Sequence, residues 1–227
     1  MKKILKYILV AFSIILSGNA VSQTFTHGQL DVGNECDWPF NSIATNPVDG
    51  KQYAFFRIGS EASAVYSIKR HDGGTTWTTM STFSPSDIPS PFDGASDHVE
   101  IAIGANGVFH LVFSGQEIAA CCGQERGVWY GTSSNAVNWS FTKIETFSDP
   151  SGFKNTSSPM IKIGSDNNPR IAFEFTDVNI WTYSIRYFEF NGTSWSSGEY
   201  AFSQTGANNE INGFSFDLDS NDDAHIA

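Results

Sequence analysis

Four stretches of the chain share one shape: SIATNPVDGKQYAFF, EIAIGANGVFHLVF, MIKIGSDNNPRIAF and SFDLDSNDDAHIA. Each is an alternating apolar run, a turn rich in Asn, Asp, Gly or Pro, then a second apolar run. Period-two alternation broken by such a turn predicts a β-hairpin. Gln52, His110, Arg170 and His225 take corresponding places, 58, 60 and 55 residues apart. Self-similarity at this interval is the mark of a repeat architecture.

A second hairpin follows each complete first one. AVYSIKR-HDGGT-TWTTM, VWYGTSS-NAV-NWSFTKI and IRYFEF-NGT-SWSSGEY each read as strand, turn, strand, with Trp77, Trp139 and Trp195 opening the last strand. The unit is four antiparallel strands in about 57 residues, the pattern of a β-propeller blade. No segment has a helical period, and 14% aromatic with 16% charged residues fits an ordered, β-rich chain. The expected fold is all-β: a β-propeller of four-stranded antiparallel blades at about 36–92, 93–150 and 151–209, with a fourth begun at 210–227. Three blades do not close a ring that normally has four to eight. The remaining blades are therefore expected on the same, longer polypeptide.

The first residues read as an export leader. Lys2, Lys3 and Lys6 precede a short apolar run, Ile8 to Leu16, and Ala20-Val21-Ser22 supplies the small residues of a cleavage site. Residues 1–22 are expected to be removed, with 23–35 a lead-in and 36–227 the partial propeller. No second apolar run is long enough to span a membrane. Removing three Lys and no acid moves the formal charge from −11 to −14, which disfavours nucleic acid as a partner. Export favours oxidation. Among the three cysteines, Cys36 is expected to pair with Cys121 or Cys122, the alternative being a vicinal Cys121–Cys122 bridge.

The stretch RHDGGTTW carries a sharper signal. Asp72, Gly74, Thr76 and Trp77 fit D-x-G-x-T-W. This resembles the Asp-box of sialidase-like (BNR-repeat) β-propellers, with Arg70 where that motif has Ser or Thr. Asn135 stands for the Asp in the second copy, and Gly192, Ser194 and Trp195 remain in the third. The motif's work is local. Asp accepts bonds from turn N–H groups, Gly takes the unusual backbone angles, and the Trp packs into the blade. The resemblance implies a propeller and, in sialidases, an Arg triad with a Tyr/Glu pair. Arg57 in FFRIG is similar to the Arg of the sialidase F-R-I-P segment, with Gly59 in place of Pro.

Function is expected on the face opposite the Asp72 turn, where the longer loops lie. Glu117, Glu125 and Arg126 belong to the long second-blade loop, Asp97 and His98 precede its inner strand, and Asp177 and Trp181 mark the third-blade loop. Paired carboxylates suit glycosidase chemistry, Arg holds a carboxylate bidentately, and an exposed Trp stacks on a sugar. Arg57, Asp97 and Glu125 are the catalytic candidates; Glu117, Glu125, Arg126, Asp97 and Trp181 are the ligand-binding ones. Asp217, Asp219, Asn221 and Asp223 imitate the start of a calcium loop, but Asp222 replaces the required Gly. A repeated hairpin turn explains that spacing better, and no metal or cofactor is expected. The expected function is an exported module binding a glycan or a surface protein. The alternatives are a sialidase-type glycoside hydrolase and a structural repeat of an adhesin.

Overall fold

The computed structural model describes residues 42–58, 65–88, 94–116, 127–146, 154–177, 180–206, 211 and 213–227. Cys36, Glu117, Cys121, Cys122, Glu125 and Arg126 lie outside these, as do the leader and the lead-in.

Three four-stranded antiparallel sheets follow one another as simple meanders. The first blade holds β1 (Ser42–Thr45), β2 (Gln52–Ile58), β3 (Val65–Gly73) and β4 (Thr76–Phe83). The second holds β5 (Gly94–Ile103), β6 (Phe109–Gln116), β7 (Gly127–Ser133) and β8 (Ser140–Thr146). The third holds β9 (Lys154–Ile163), β10 (Pro169–Asp177), β11 (Thr182–Glu189) and β12 (Glu199–Thr205). A last hairpin pairs β13 (Phe216–Leu218) with β14 (Ala224–Ile226). Among the described residues the only helical element is a short 3-10 turn at Pro85–Asp87, and no helix is long and apolar enough to cross a membrane. The architecture is a partial β-propeller.

Stacking of the sheets makes the core. Along β6, Phe109, Leu111 and Phe113 enter a cluster with Tyr53, Phe55 and Tyr66 of the first blade. The intervening Val112 enters a second cluster with Ile171, Phe173 and Phe175 of the third. A strand buried on both faces is apolar nearly throughout, which is why HLVF scarcely alternates. The last hairpin continues the stack through Phe216, which packs with Ala172 and Ile185. Deleting one of the large, fully buried rings, Phe55, Phe113 or Trp129, costs roughly 3–5 kcal/mol.

One correspondence shifts by a residue. The first turn closes Asn46 N–H onto Lys51 C=O, whereas its counterparts close Gly104 onto Val108 and Gly164 onto Asn168. The first turn is thus one residue longer, and Tyr53, not Gln52, is the partner of His110, Arg170 and His225.

The turns also latch blade to blade. Asn106 N–H donates to Asn167 Oδ1 at 3.1 Å. Ser165 N–H and Oγ–H both donate to the Asp222 carboxylate. Val48 packs over Gly107, where a Cβ would meet its Cγ2 at 2.9 Å.

Candidate functional site

The innermost strands carry a second repeated position. Ser42 pairs with Phe55, Glu100 with Val112 and Met160 with Ala172, so Ser42, Glu100 and Met160 are equivalent across three blades. Ser42 Oγ accepts the Ile101 N–H of the next blade at 3.1 Å. Glu100 Oε2 accepts the Ile161 N–H, one blade further on, at 2.5 Å.

These side chains line a pocket of about 280 Å³ together with His98, Val99, Ser158 and Pro159. Two irregularities shape it. β5 shifts register between Ala95 and Val99, and β9 between Ala172 and Glu174 of its partner. Ser158 in the second bulge has φ 50°, a backbone angle disfavoured for a residue with a Cβ. Burial raises the Glu100 carboxyl above its usual range, opposed by the Ile161 N–H and by Lys162. A carboxyl so placed retains a proton at higher pH than a solvated one, as a general acid must. One of its oxygens, Oε2, is engaged with backbone.

The predicted site residues are distributed as follows. His98 lines the pocket. Asp97 belongs to the same bulged stretch of β5, though its side chain lies outside the description. Arg57 is the penultimate residue of β2, opposite Tyr66, and is not among the pocket residues. Trp181 is 47% exposed in the β10–β11 turn with φ 49°, and Asp177 closes β10 opposite Thr182. Neither lines the pocket. Ser42, Glu100, Ser158 and Met160 were not singled out from sequence. The one available signal was an acid interrupting an apolar inner strand, HVEIAIG.

The Asp-box turn differs from expectation in its bonding. The Asp72 carboxylate accepts from side chains, Arg70 Nε at 2.7 Å and Lys51 Nζ at 3.1 Å. Gly73 and Gly74 take φ of 104° and 59°. Capture of turn N–H groups occurs instead in the later copies. Asn135 Oδ1 accepts from Val137 and Asn138, and Asn191 Oδ1 accepts from Thr193 and Ser194. Asn191 is thus the third-blade counterpart that the sequence motif does not reveal. The three tryptophans are partly buried rather than enclosed. Trp77 is the second residue of β4 and lies 4.9 Å from the His71 ring. Trp139 donates Nε1–H to Ser81 Oγ of the first blade at 3.0 Å. Trp195 meets Tyr130 of the second blade edge-on at 5.1 Å, and it forms an isolated bridge with Phe190 instead of opening β12.

Among the described residues, no group of three or more His, Cys, Asp or Glu side chains could hold a metal ion. Asp219 Oδ1 accepts the N–H groups of Asn221 and Asp223, so the acidic last hairpin holds its own turn.

No family model matches the sequence, and no curated protein does. Solved structures do. A GH93 α-L-arabinofuranosidase of Fusarium graminearum, in complex with arabinobiose, is similar at 12% identity and TM-score 0.55, over 71% of this chain and 47% of that one. An α-L-arabinanase of Penicillium chrysogenum, also complexed with arabinobiose, gives 14% and 0.55 over 72% and 49%. An endo-arabinase from Bacteroides thetaiotaomicron gives 13% and 0.52 over 82% and 68%. The chain spans about half the length of the first two. At these identities the likeness concerns the fold, and it supports the β-propeller.

Proposed function

We propose that the chain is part of an exported β-propeller that binds glycan at its inner-strand pocket. The observation that carries the reading is Glu100, a single desolvated carboxyl flanked by Ser42, His98 and Ser158 where the inner strands of three blades meet. Hydroxyl, imidazole and carboxyl groups in one concave site suit a polyhydroxylated ligand. The leader-like N-terminus supports export. The solved arabinan-active enzymes, similar in fold, support a carbohydrate ligand.

Three of this chain's five arginines are tied to carboxylates, which weighs against an Arg triad of the sialidase kind within it. Arg70 is held by Asp72, Arg170 by Asp166 and Glu189, and Arg186 by Glu145. None of these three is available to grip a substrate carboxylate. The Asp-box resemblance therefore bears on the blade, and a sialidase-type reaction is the weaker form of the proposal.

A second reading, glycoside hydrolysis, is favoured by the raised Glu100 carboxyl, which suits a general acid. Asp97, a catalytic candidate from the sequence, lies three residues earlier on the same strand. The test is a glycan array with the full-length protein, alongside hydrolysis of nitrophenyl α-L-arabinofuranoside and nitrophenyl sialoside, in the parent and in Glu100→Gln. Glutamine can still accept the Ile161 N–H, so folding should persist. Glycan binding or hydrolysis lost in the variant supports the reading. Its persistence there, or silence towards every glycan, refutes it.

A further inference from the structure

The two described inter-blade interfaces are built on the same plan, and one of them is open. Ser81 lies opposite Ile68, and Thr142 opposite Tyr130, at equivalent places on β4 and β8. Trp139 and Trp195 are likewise equivalent, as are Ala136 and Gly192, each one residue after the Asn that holds its turn. Between the first and second blades the space is filled. Ala136 is fully buried, with φ 58°. Ser81 Oγ–H donates to Ala136 C=O at 2.9 Å, and Ser81 Oγ accepts from Trp139 Nε1. Between the second and third blades Gly192 brings no side chain, and Gly192, Thr193 and Ser194 are exposed. Trp195 Nε1–H has no acceptor among the described residues. A cleft of about 430 Å³ results, walled by Tyr130, Trp195, Phe190, Thr142, Thr193 and Asn168.

We propose that this cleft, on the hairpin-turn face and apart from the inner-strand pocket, binds one uncharged sugar ring. Its walls combine aromatic rings with hydroxyl and amide groups, and no Asp, Glu, Lys or Arg lines it. An anionic or cationic ligand would find no counter-charge, and a purely apolar one would strand the hydroxyls. A pyranose or furanose has apolar C–H faces for Trp195 and Tyr130, and hydroxyls for Thr142, Thr193 and Asn168. The volume lies within the range of small-molecule sites, roughly 300–1,000 Å³. A second observation points the same way. His110 on the cleft wall is 4% exposed, shares a 2.6 Å hydrogen bond with Tyr130 through Nδ1, and leaves Nε2 buried without a partner. Burial pulls its pKa down to about 4, so the imidazole is neutral near pH 7 and adds no charge to the wall.

Saturation-transfer NMR on the full-length protein tests the proposal, using methyl glycosides of glucose, galactose, mannose, fucose and arabinose as probes. At least one should receive saturation. The signal should fall at least five-fold in Trp195→Ala and in Thr142→Phe, and persist in Asp72→Ala, a change in an exposed first-blade turn outside the cleft. Thr142 is exposed on β8, so a ring there fills the cleft from its rim without entering the core, and it decides the matter alone if Trp195→Ala does not fold. Silence from all five sugars, or full signal in Thr142→Phe, overturns the cleft site. Loss in Glu100→Gln with retention in Thr142→Phe moves the sugar to the inner-strand pocket and likewise overturns it.

Discussion

The Glu100 carboxylate receives the Ile161 N–H at 2.5 Å, across the joint between the second and third blades. Ser42 Oγ does the same for Ile101, one joint earlier, at 3.1 Å. An innermost strand has a free edge, and its unpaired N–H groups need partners once buried. A side chain of the preceding blade supplies the acceptor each time. The second joint uses an acid where a hydroxyl suffices at the first, so the acid brings a desolvated charge beyond what the joint needs.

Replacing Glu100 by Gln should therefore stabilise the protein at neutral pH. A carboxyl whose folded pKa is raised destabilises the fold above that pKa. The penalty disappears as pH falls below the unfolded value. The Tm advantage of Glu100→Gln should be largest near pH 8 and shrink as Glu100 protonates. Thermal unfolding of both proteins across that range checks the sign, and an advantage that grows on acidification contradicts it.

Ser81 and Thr142 occupy the same place in successive blades with different duties. Ser81→Ala strips Trp139 of its acceptor and Ala136 of its donor, which should cost about 1–3 kcal/mol. Thr142→Ala, at the exposed rim of the cleft, should stay within roughly 0.5 kcal/mol. Urea unfolding of the pair measures the difference.

Gly127 is fixed by its neighbour. A Cβ there would stand 2.6 Å from Cζ3 of Trp129, whose ring is fully buried and cannot retreat. Gly127→Ala should cost about 1–3 kcal/mol through overpacking. Gly74→Ala meets open space, so its penalty should come from backbone strain at φ 59° alone.

The turns should part company in salt. The Asp72 carboxyl is held well below the ordinary carboxylate range, first by the Arg70 bond, then by Thr78 and Lys51. Its contribution is present at neutral pH and is lost as pH falls through that depressed pKa. The loss in Tm on Asp72→Ala should shrink as salt is added, because exposed ion pairs are screened. Asn135→Ala and Asn191→Ala remove neutral bonds to two N–H groups each, and their penalty, about 1 kcal/mol, should be insensitive to salt.

The blades were legible because hairpin turns interrupt apolar runs at a steady interval, and tertiary packing obeys the same interval. Register was less legible. One additional residue between Asn46 and Lys51 moved Gln52 off the equivalent position, which Tyr53 occupies. Asn191 escaped notice because its role lies in the backbone N–H groups it accepts, whereas the motif was matched on Gly, Ser and Trp. The pocket was hidden for a different reason. Ser42, Glu100 and Met160 share a position but no chemistry, and only the stacking of inner strands brings them together. The second-blade loop around Glu117, Glu125 and Arg126 lies outside the described residues.

The turn latches and the inner-strand latches run in opposite directions. At the hairpin turns the earlier blade donates and the later one accepts, as Asn106 to Asn167 and Ser165 to Asp222. On the inner strands the later blade donates and the earlier one accepts, as Ile101 to Ser42 and Ile161 to Glu100. In a chain leaving the ribosome N-terminus first, the inner-strand acceptors are made before the donors they receive. The second and third blades carry turn donors that their successors accept, and the first and second carry inner-strand acceptors for their successors' edges. A newly made blade is thus both template and debtor, and a pause in synthesis between two blades exposes the older one's unfilled face.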